Sequence, residues 1–480
     1  MALAAGLVAA GLVIGLASGA FGALARGGLY ASGLWSHNGA STRPSARADS
    51  SPVATTRATA TVSPSVTAPP SGLPAPVLAA SAVGDPASKA KVNAKISGVQ
   101  VAGIGSASWT GSVIDVVSGR TVYDHNDTSA YIPASTMKLL TSAAALSILG
   151  PDHTFTTRVV SPGAGRIILV GGGDPYLAEK TGASTFPRRA TVATLARSSA
   201  AALKKNKINS VTLGYDDSLF SGPRWNPTWP DLYRDQVTPV SALWVDEGRV
   251  LGSPGEREET PSLDAAQAYA AALRTQGITV TAITAEKAGS SAAPVASVSS
   301  MPLERIVEQL LLVSDNDAAE VVYRQAAIGA GKKGSFVDAG AAVRERLTKL
   351  GVWHSGTTLS DGSGLSRQTR LRADTLAQLL ALAASDSHPE LRAVITGLPV
   401  AGVEGSLRTH FADPESLAGR GLVRGKTGTL KQVHSLAGVI RSQDGSLLAY
   451  AFLINNPEDD VNAKLWLDRA SAALSTCGCR

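Results

Sequence analysis

The sequence has few cysteines and little charge of either sign. Its 480 residues include two cysteines, Cys477 and Cys479, close to the C-terminus, so no disulfide framework and no paired CxxC zinc site is available. Charged residues make up 17% of the chain and the formal net charge is +6, which is too dispersed for the basic stripe of a nucleic-acid binder. Hydrophobic residues make up 44%, enough for the cores of two or three domains.

Several catalytic motifs are also missing. The seven histidines form no HExxH pair, and no G-x-S-x-G nucleophile elbow occurs, so a zinc peptidase or a Ser-His-Asp hydrolase has no local support. The run Arg424–Thr427 superficially resembles a phosphate-binding loop. However, Arg420 stands where that loop needs glycine, and a strand pattern continues where its helix should begin, so nucleotide binding is excluded.

The N-terminus is a long apolar segment. Residues 1–25 carry no charged side chain, and Ala23-Leu24-Ala25 offers a small-x-small cleavage site before Arg26. This pattern predicts export, either through a removed signal peptide or on an uncleaved membrane anchor, with the remaining chain on the periplasmic or cell-wall side. Residues 38–88 are rich in Ser, Pro, Thr and Ala without an apolar period, which indicates an extended linker.

The remaining chain shows two kinds of patterning. Residues 153–298 alternate short strands, turns and helices, which predicts an inserted smaller α/β or β-rich domain. Residues 89–152 and 299–480 combine a hairpin near Trp109, helical segments and a three-strand meander from 421 to 454. Helices grouped around an antiparallel sheet made from both chain ends predict an α+β catalytic domain.

The first chemical motif is Ser135-Thr136-Met137-Lys138 at the start of an Ala- and Leu-rich helix. Spacing of three residues puts the serine and the lysine on one helical face. A serine hydroxyl is a weak nucleophile until a base takes its proton. Burial and a second cation would lower the pKa of the lysine enough for it to be that base.

Two further motifs follow in order. Ser314-Asp315-Asn316 lies in a predicted turn between helices, and offers a hydroxyl for proton relay and an amide to hold a peptide group. Lys426-Thr427-Gly428-Thr429 leads off a predicted strand. Its lysine would be the second cation, its hydroxyls would bind a carboxylate, and Gly428 would let a substrate lie against the strand edge.

Each motif alone is weak, because similar copies occur elsewhere. An SxxK copy lies at Ser88–Lys91, an SxN copy at Ser36–Asn38, and a KTG copy at Lys180–Gly182. The copy at Lys180 precedes the SDN motif, which breaks the order. The interpretation therefore depends on the order and context of the three motifs: the first at a helix start, the second between helices and the third on a strand.

This ordered set resembles that of the penicillin-recognising serine enzymes. The segments Gly172–Leu177 and Asp361–Arg367 resemble those of class C low-molecular-mass penicillin-binding proteins, the D-alanyl-D-alanine carboxypeptidase/endopeptidase group. The resemblance covers about residue 101 to the C-terminus. It implies a transpeptidase-like catalytic domain with helices on both sides of its sheet, peptidoglycan stem peptides as substrates, β-lactams as covalent inhibitors, and no metal or organic cofactor.

The resemblance also implies a role for each motif residue. Ser135 would form the acyl-enzyme, Lys138 would be the general base, and Ser314 would pass a proton to the leaving D-alanine. The residues implied to bind or orient the substrate are Asn316, Lys426, Thr427, Gly428 and Thr429. The N–H groups of Ser135 and Thr429 would form the oxyanion hole.

Some expectations remain open between alternatives. No E-x-x-L-N loop follows the SDN motif, which favours a penicillin-inhibited peptidase over a β-lactamase or esterase of the same fold; a non-catalytic wall-binding protein is the third alternative. Asp216 and Asp217 are candidates for an acidic side-chain pocket. The loop Asp361–Gly364 is predicted to be structural. Cys477 and Cys479 are interpreted first as a free tail rather than a disulfide or an intermolecular link. Trp225, Trp229, Trp244 and Tyr233 are predicted to pack internally rather than to line a glycan groove.

Overall fold

The computed structural model describes residues 86–480 apart from 106–108, 164, 181, 183–187, 251 and 254. The apolar segment 1–25 and almost all of the predicted linker therefore lie outside the described residues. Within the described part of the chain, no helix is both long and apolar enough to cross a membrane.

The strands and helices are as follows in chain order. The strands are β1 (Trp109–Asp115), β2 (Thr121–His125), β3 (Ala130–Tyr131), β4 (Thr156–Gly163), β5 (Arg166–Val170), β6 (Ser210–Asp216), β7 (Thr279–Ala285), β8 (Ala293–Ser299), β9 (Leu371–Arg372), β10 (Val423–Leu430), β11 (Val433–Arg441) and β12 (Leu447–Asn455). The α-helices are α1 (Lys89–Ser97), α2 (Met137–Leu149), α3 (Val192–Lys205), α4 (Pro261–Thr275), α5 (Leu303–Val313), α6 (Asn316–Gly329), α7 (Phe336–Lys349), α8 (Ala373–Ala384), α9 (Arg392–Thr396) and α10 (Asp460–Ser475).

The main sheet joins the two ends of the described chain. Its five strands lie in the order β10-β11-β12-β1-β2, and all neighbours are antiparallel; Trp109 of β1 is paired with Ile454 of β12. The predicted hairpin after Trp109, the meander and the sheet built from both chain ends are therefore confirmed.

Strand β12 is buried on both faces. Its alternate residues belong to two different hydrophobic clusters: Ala449, Ala451 and Leu453 to one, and Leu448, Tyr450 and Phe452 to the other. Helix α8 packs on the first face of the sheet and α10 on the second. This two-sided burial explains why Leu447–Asn455 is a continuous apolar run without alternation, and it confirms the expected helices on both sides of an antiparallel sheet.

A second sheet lies between residues 156 and 299. Its order is β7-β6-β5-β4-β8, with β5, β6 and β7 parallel and the two β4 pairings antiparallel. Helices α3 and α4 cover it around a separate hydrophobic cluster. The division of the chain into a catalytic domain and an insertion at 153–298 stays a prediction.

The C-terminal cysteines form a disulfide between Cys477 and Cys479. Both are almost fully buried and pack in the same cluster as Val92 and Ile96 of α1. The Cys479 carbonyl accepts a hydrogen bond from the Ser88 N–H. The preferred interpretation of these cysteines as a free tail is therefore wrong, because the apolar face of α1 draws the terminus into the core.

Removal of this disulfide should lower stability modestly. Loop-closure entropy for so short a ring amounts to about 2 kcal/mol of unfolding free energy. We expect the double variant Cys477→Ser with Cys479→Ser to unfold at a lower urea concentration, with an unchanged m-value. An unaltered urea midpoint would contradict this prediction.

Candidate active site

Ser135 lies in a short 3-10 turn, Ala134–Thr136, that leads directly into α2. Its side chain is half-buried, and its hydroxyl oxygen accepts a hydrogen bond from Lys138 Nζ at 2.9 Å. The two residues are therefore in direct contact, as the three-residue spacing predicts.

Lys138 is completely buried. Besides Ser135, its Nζ donates to Asn316 Oδ1 at 2.7 Å and to the Ser363 carbonyl at 2.9 Å. Burial lowers the pKa of Lys138 to about 8, against the opposing effect of surrounding carboxylates led by Glu320. A lysine in this state exchanges a proton near neutral pH far more readily than a solvated one.

The Ser314-Asp315-Asn316 motif forms the predicted junction between two helices. Ser314 ends α5 in the left-handed conformation, with φ of 60°. Asp315 caps α6 by accepting the Ala318 N–H at 3.0 Å, which satisfies one free donor of the first turn. Asn316 donates from Nδ2 to the Gln236 carbonyl at 3.0 Å, so its amide is held from two sides.

Lys426 approaches the same cluster from strand β10. It is completely buried, and its Nζ donates to Ser314 Oγ and to the Thr427 carbonyl, both at 2.8 Å. Burial first, and the nearby Lys138 charge second, hold the pKa of Lys426 well below its usual range. Burial is thus the leading influence on both lysines, and the expected cation effect of Lys426 on Lys138 is not.

The other residues of the third motif have neighbours of their own, and their substrate-binding roles stay a prediction. Thr427 Oγ1 donates to Ser406 Oγ at 2.8 Å, while Thr429 is exposed. A Cβ on Gly428 would lie 2.6 Å from the Pro133 carbonyl oxygen and 3.0 Å from the Ser135 nitrogen. Gly428 therefore lets β10 pack on the protein's own serine turn, which is a different reason for glycine from room for a substrate.

The three motifs are thus brought together in one hydrogen-bonded cluster. Lys138 links Ser135 to Asn316, and Lys426 links to Ser314 on the same turn as Asn316. The motif copies elsewhere differ: the side chain of Lys180 is exposed, and Lys91 is exposed on α1. Ser36–Asn38 lies outside the described residues.

The segment 361–366 contributes a contact that sequence reasoning missed. Asp361 is completely buried and accepts hydrogen bonds from Trp229 Nε1 at 2.8 Å and the Ser366 N–H at 2.6 Å. This confirms the structural role predicted for Asp361. In the turn that follows, the Ser363 carbonyl accepts a hydrogen bond from Lys138 Nζ. The sequence signal for this contact is the resemblance of Asp361–Arg367 to a segment of class C penicillin-binding proteins.

The remaining sequence candidates have partners within the protein or pack against the hydrophobic core. Asp216 accepts from the Ser218 and Ala288 N–H groups, and Asp217 is paired with Arg224 and Ser262. An acidic side-chain pocket formed by Asp216 and Asp217 stays a prediction. Trp229 and Trp244 are buried in the main cluster, as predicted, while Trp225 and Tyr233 pack against its edge.

One group of acids has the spacing of a metal site. Carboxylate oxygens of Glu247, Asp315 and Asp317 lie within 4.8 Å of one another. Arg249 Nη2 lies 3.1 Å from Asp317 and 3.7 Å from Asp315, and Arg257 also approaches Asp317. Arginine charges already compensate these acids, so the group is an ion-pair network beside the SDN turn.

Comparison with known proteins identifies the family. The family described as D-Ala-D-Ala carboxypeptidase 3 (S13) matches residues 93–257 and 253–474. The chain belongs to this family. The match confirms the resemblance stated from the sequence, and the chain is accordingly a D-Ala-D-Ala carboxypeptidase hydrolase.

Individual relatives match most of the chain. Carboxypeptidase Rv3627c of Mycobacterium tuberculosis is 34% identical over 379 residues, which are 77% of this chain and 80% of that protein. The D-alanyl-D-alanine carboxypeptidase of an Actinomadura species is 29% identical over 436 residues, which are 72% and 76% of the two chains.

Solved structures show the same fold. Penicillin-binding protein 4 (dacB) of Haemophilus influenzae superposes with a TM-score of 0.63 at 22% identity, covering 79% of this chain and 97% of that one. Bd3459, a predatory peptidoglycan endopeptidase of Bdellovibrio bacteriovorus, superposes with a TM-score of 0.52 at 16% identity, covering 77% and 92%. At these identities the comparison concerns the fold alone.

Proposed function

We propose that this S13 peptidase is exported and trims peptidoglycan stem peptides through an acyl-enzyme on Ser135. The single observation that carries the proposal is the 2.9 Å hydrogen bond between Ser135 Oγ and the Nζ of Lys138, a lysine that is completely buried. A nucleophile in contact with a base of lowered pKa is the arrangement that acyl transfer requires.

In the proposed acylation, Ser135 Oγ attacks the carbonyl carbon of the penultimate D-alanine and gives its proton to neutral Lys138. N–H groups of Ser135 and Thr429 stabilise the oxyanion. The peptide C–N bond then breaks. Ser314 gives its hydroxyl proton to the departing D-alanine nitrogen and is reprotonated by the proton that Lys138 took from Ser135, while Lys426 holds the Ser314 hydroxyl. Asn316 orients the substrate amide, and Thr427 and Thr429 bind the terminal carboxylate.

Water completes the proposed cycle. It hydrolyses the ester, releases the shortened peptide and regenerates the Ser135 hydroxyl. A β-lactam acylates the same serine, but its leaving nitrogen stays tethered in the opened ring, so no fragment departs and the ester persists. The Haemophilus influenzae relative has been solved in complex with a β-lactam, which supports β-lactams as covalent inhibitors here.

The proposed location follows from the substrate. Peptidoglycan lies outside the cytoplasm, and the apolar segment 1–25 is suited to export or to membrane anchoring. Cross-linked stem peptides are a second candidate substrate, favoured by the fold shared with the Bdellovibrio endopeptidase.

The test is release of D-alanine from a stem pentapeptide ending in D-Ala-D-Ala, measured beside nitrocefin turnover. We expect D-alanine release with slow nitrocefin turnover. Rapid nitrocefin hydrolysis without D-alanine release would favour a β-lactamase. Peptidoglycan pull-down with neither activity would favour a wall-binding protein, and either result would contradict the proposal.

The rate of acylation should depend on pH through Lys138. The base must be neutral to accept the serine proton, and burial lowers its pKa to about 8. We therefore expect the second-order rate of penicillin acylation to rise about tenfold per pH unit below pH 8 and to level off above it. A rate that falls as the pH rises from 6 to 8 would contradict Lys138 as the base.

A further inference from the structure

Glu320 is a completely buried carboxyl group that no step of the proposed reaction uses. It lies on α6 four residues after Asn316, so the two side chains share one helical face. A buried acid is costly unless it is held by hydrogen bonds or charges, and its surroundings show what holds it.

Glu320 binds the turn that contacts the amine of Lys138. Its Oε1 accepts the Ser363 N–H at 2.7 Å and the Gly362 N–H at 3.1 Å, while Oε2 accepts the same Gly362 N–H at 3.0 Å. The Ser363 carbonyl in turn accepts from Lys138 Nζ at 2.9 Å. Glu320 and the proposed base thus bind the same residue, Ser363: Glu320 accepts from its N–H and Lys138 donates to its carbonyl.

The same turn is fastened on its other side by α2. Thr141 Oγ1 donates to the Gly362 carbonyl at 2.7 Å, and Thr141 lies one turn beyond Lys138. Helix α6 therefore orders two of the three acceptors around Lys138 Nζ: Asn316 directly and the Ser363 carbonyl through Glu320.

Charge connects Glu320 to Lys138 as well. Among the carboxylates that favour the charged form of Lys138, Glu320 has the largest effect, ahead of Asp315, Asp361 and Asp317. The ionisable groups that act on or respond to Glu320 are Lys138, Asp361, Tyr323 and Arg324. Burial, with Asp361 second, raises the pKa of Glu320, while the Ser363 hydroxyl and the two amide N–H groups oppose that shift.

We propose that Glu320 is a positioning residue for the acylation step, which sets both the orientation and the charge of Lys138. It does so by holding the turn at Gly362 and Ser363, whose Ser363 carbonyl contacts Lys138, and, in its ionised form, by placing a negative charge beside the amine. This inference rests on the proposed function, because it matters only if Lys138 is the base for Ser135.

The Glu320→Gln variant removes the negative charge but keeps the size of the side chain. A glutamine with its oxygen at the Oε1 position keeps an acceptor for the Ser363 and Gly362 N–H groups. It loses the negative charge and the second acceptor that Oε2 offers to the Gly362 N–H. Loss of a nearby negative charge disfavours the ammonium form of Lys138. The neutral base is then available at lower pH.

The experiment measures the second-order acylation rate of the full chain by a fluorescent penicillin between pH 6 and pH 10. For Glu320→Gln we expect the midpoint of the pH profile to move down by about one unit, with the rate on the alkaline plateau within about threefold of wild type. For Glu320→Ala we expect the plateau rate to fall at least about tenfold, since the turn is released.

A matched control is Glu308→Gln on α5, whose carboxylate pairs with Arg305 and accepts from Thr396. It should leave the midpoint unchanged. An unmoved midpoint in Glu320→Gln, or the same midpoint shift in the control, would overturn the proposal. Wild-type protein that is not acylated at all would instead overturn the proposed function.

Glu320→Asp gives a second test that does not depend on the folding of the glutamine variant. It keeps the charge but withdraws it from the two amides by one methylene. We expect a plateau rate reduced about tenfold with a midpoint close to that of wild type. A wild-type plateau rate in Glu320→Asp would show that the hydrogen bonds from Glu320 to the Gly362 and Ser363 N–H groups do not affect the reaction.

Discussion

Ser135→Ala should abolish covalent labelling by fluorescent penicillin and reduce D-alanine release by at least about 10⁴-fold. The variant keeps the turn and the helix but has no oxygen to form the ester. Lys138 would retain its contacts with Asn316 and the Ser363 carbonyl, so the remaining cluster should stay in place. Labelling is read by gel fluorescence and D-alanine by an enzyme-coupled assay.

Ser142→Ala is the matched control for this experiment. Ser142 is buried on the same helix, and its hydroxyl has no hydrogen-bond partner among the described residues. Its replacement removes one hydroxyl from α2 without touching the cluster, so labelling should persist. Undiminished labelling of Ser135→Ala would show that another residue is the nucleophile.

Lys426→Ala should lower the acylation rate by on the order of 10²- to 10³-fold. Lys426 holds the Ser314 hydroxyl through a 2.8 Å hydrogen bond, and its loss leaves that hydroxyl without its fixed donor in a buried site. The proton relay to the leaving group and the binding of the substrate carboxylate should both suffer. Stopped-flow acylation with a chromogenic β-lactam measures the change.

The KTG copy provides the control for Lys426. Lys180 stands before Thr181 and Gly182 in the same three-residue motif, but its side chain is exposed. We expect Lys180→Ala to acylate at the wild-type rate. Unchanged acylation in Lys426→Ala together with a loss in Lys180→Ala would mean that the wrong copy was assigned.

Local periodicity was sufficient to predict much of the fold. The hairpin near Trp109, the three-strand meander from 421 to 454 and the helix that begins beside Ser135 are all present in the structure. Strand β8 reads Ala-Pro-Val-Ala-Ser-Val-Ser and is largely exposed, so it has neither a continuous apolar run nor clean alternation to mark it.

The candidate site was predictable where its chemistry is local in sequence. Ser135 and Lys138 share one turn of helix, and the order of the motifs indicated their partners. The roles of Glu320 and the Ser363 carbonyl could not be predicted, because the hydrogen bond from the Ser363 N–H to Glu320 joins a helix interior to a loop 43 residues further along the chain. In addition, every residue has a backbone carbonyl, so the residue type does not show which carbonyl contacts Lys138.

The packing of Gly428 and the Cys477–Cys479 disulfide were not predicted, because both depend on contacts between residues that are distant in the sequence. The role of Gly428 depends on the close approach of the Pro133–Ser135 backbone to β10, and spacing within the KTG motif does not reveal that neighbour. Likewise, the Cys477–Cys479 pair is drawn inward by an apolar face on α1, nearly four hundred residues earlier. Neither contact is encoded by residues adjacent to the motif.

Intact-mass measurement after incubation with benzylpenicillin tests the central claim most directly. Opening of the β-lactam ring by Ser135 loses no atoms, so the account predicts a single adduct with the full mass of the antibiotic, mapped by peptide digestion to Ser135. The same incubation of Ser135→Ala should give the unmodified mass. Folded wild-type protein that acquires no adduct, or an adduct mapped to another residue, would contradict the claim.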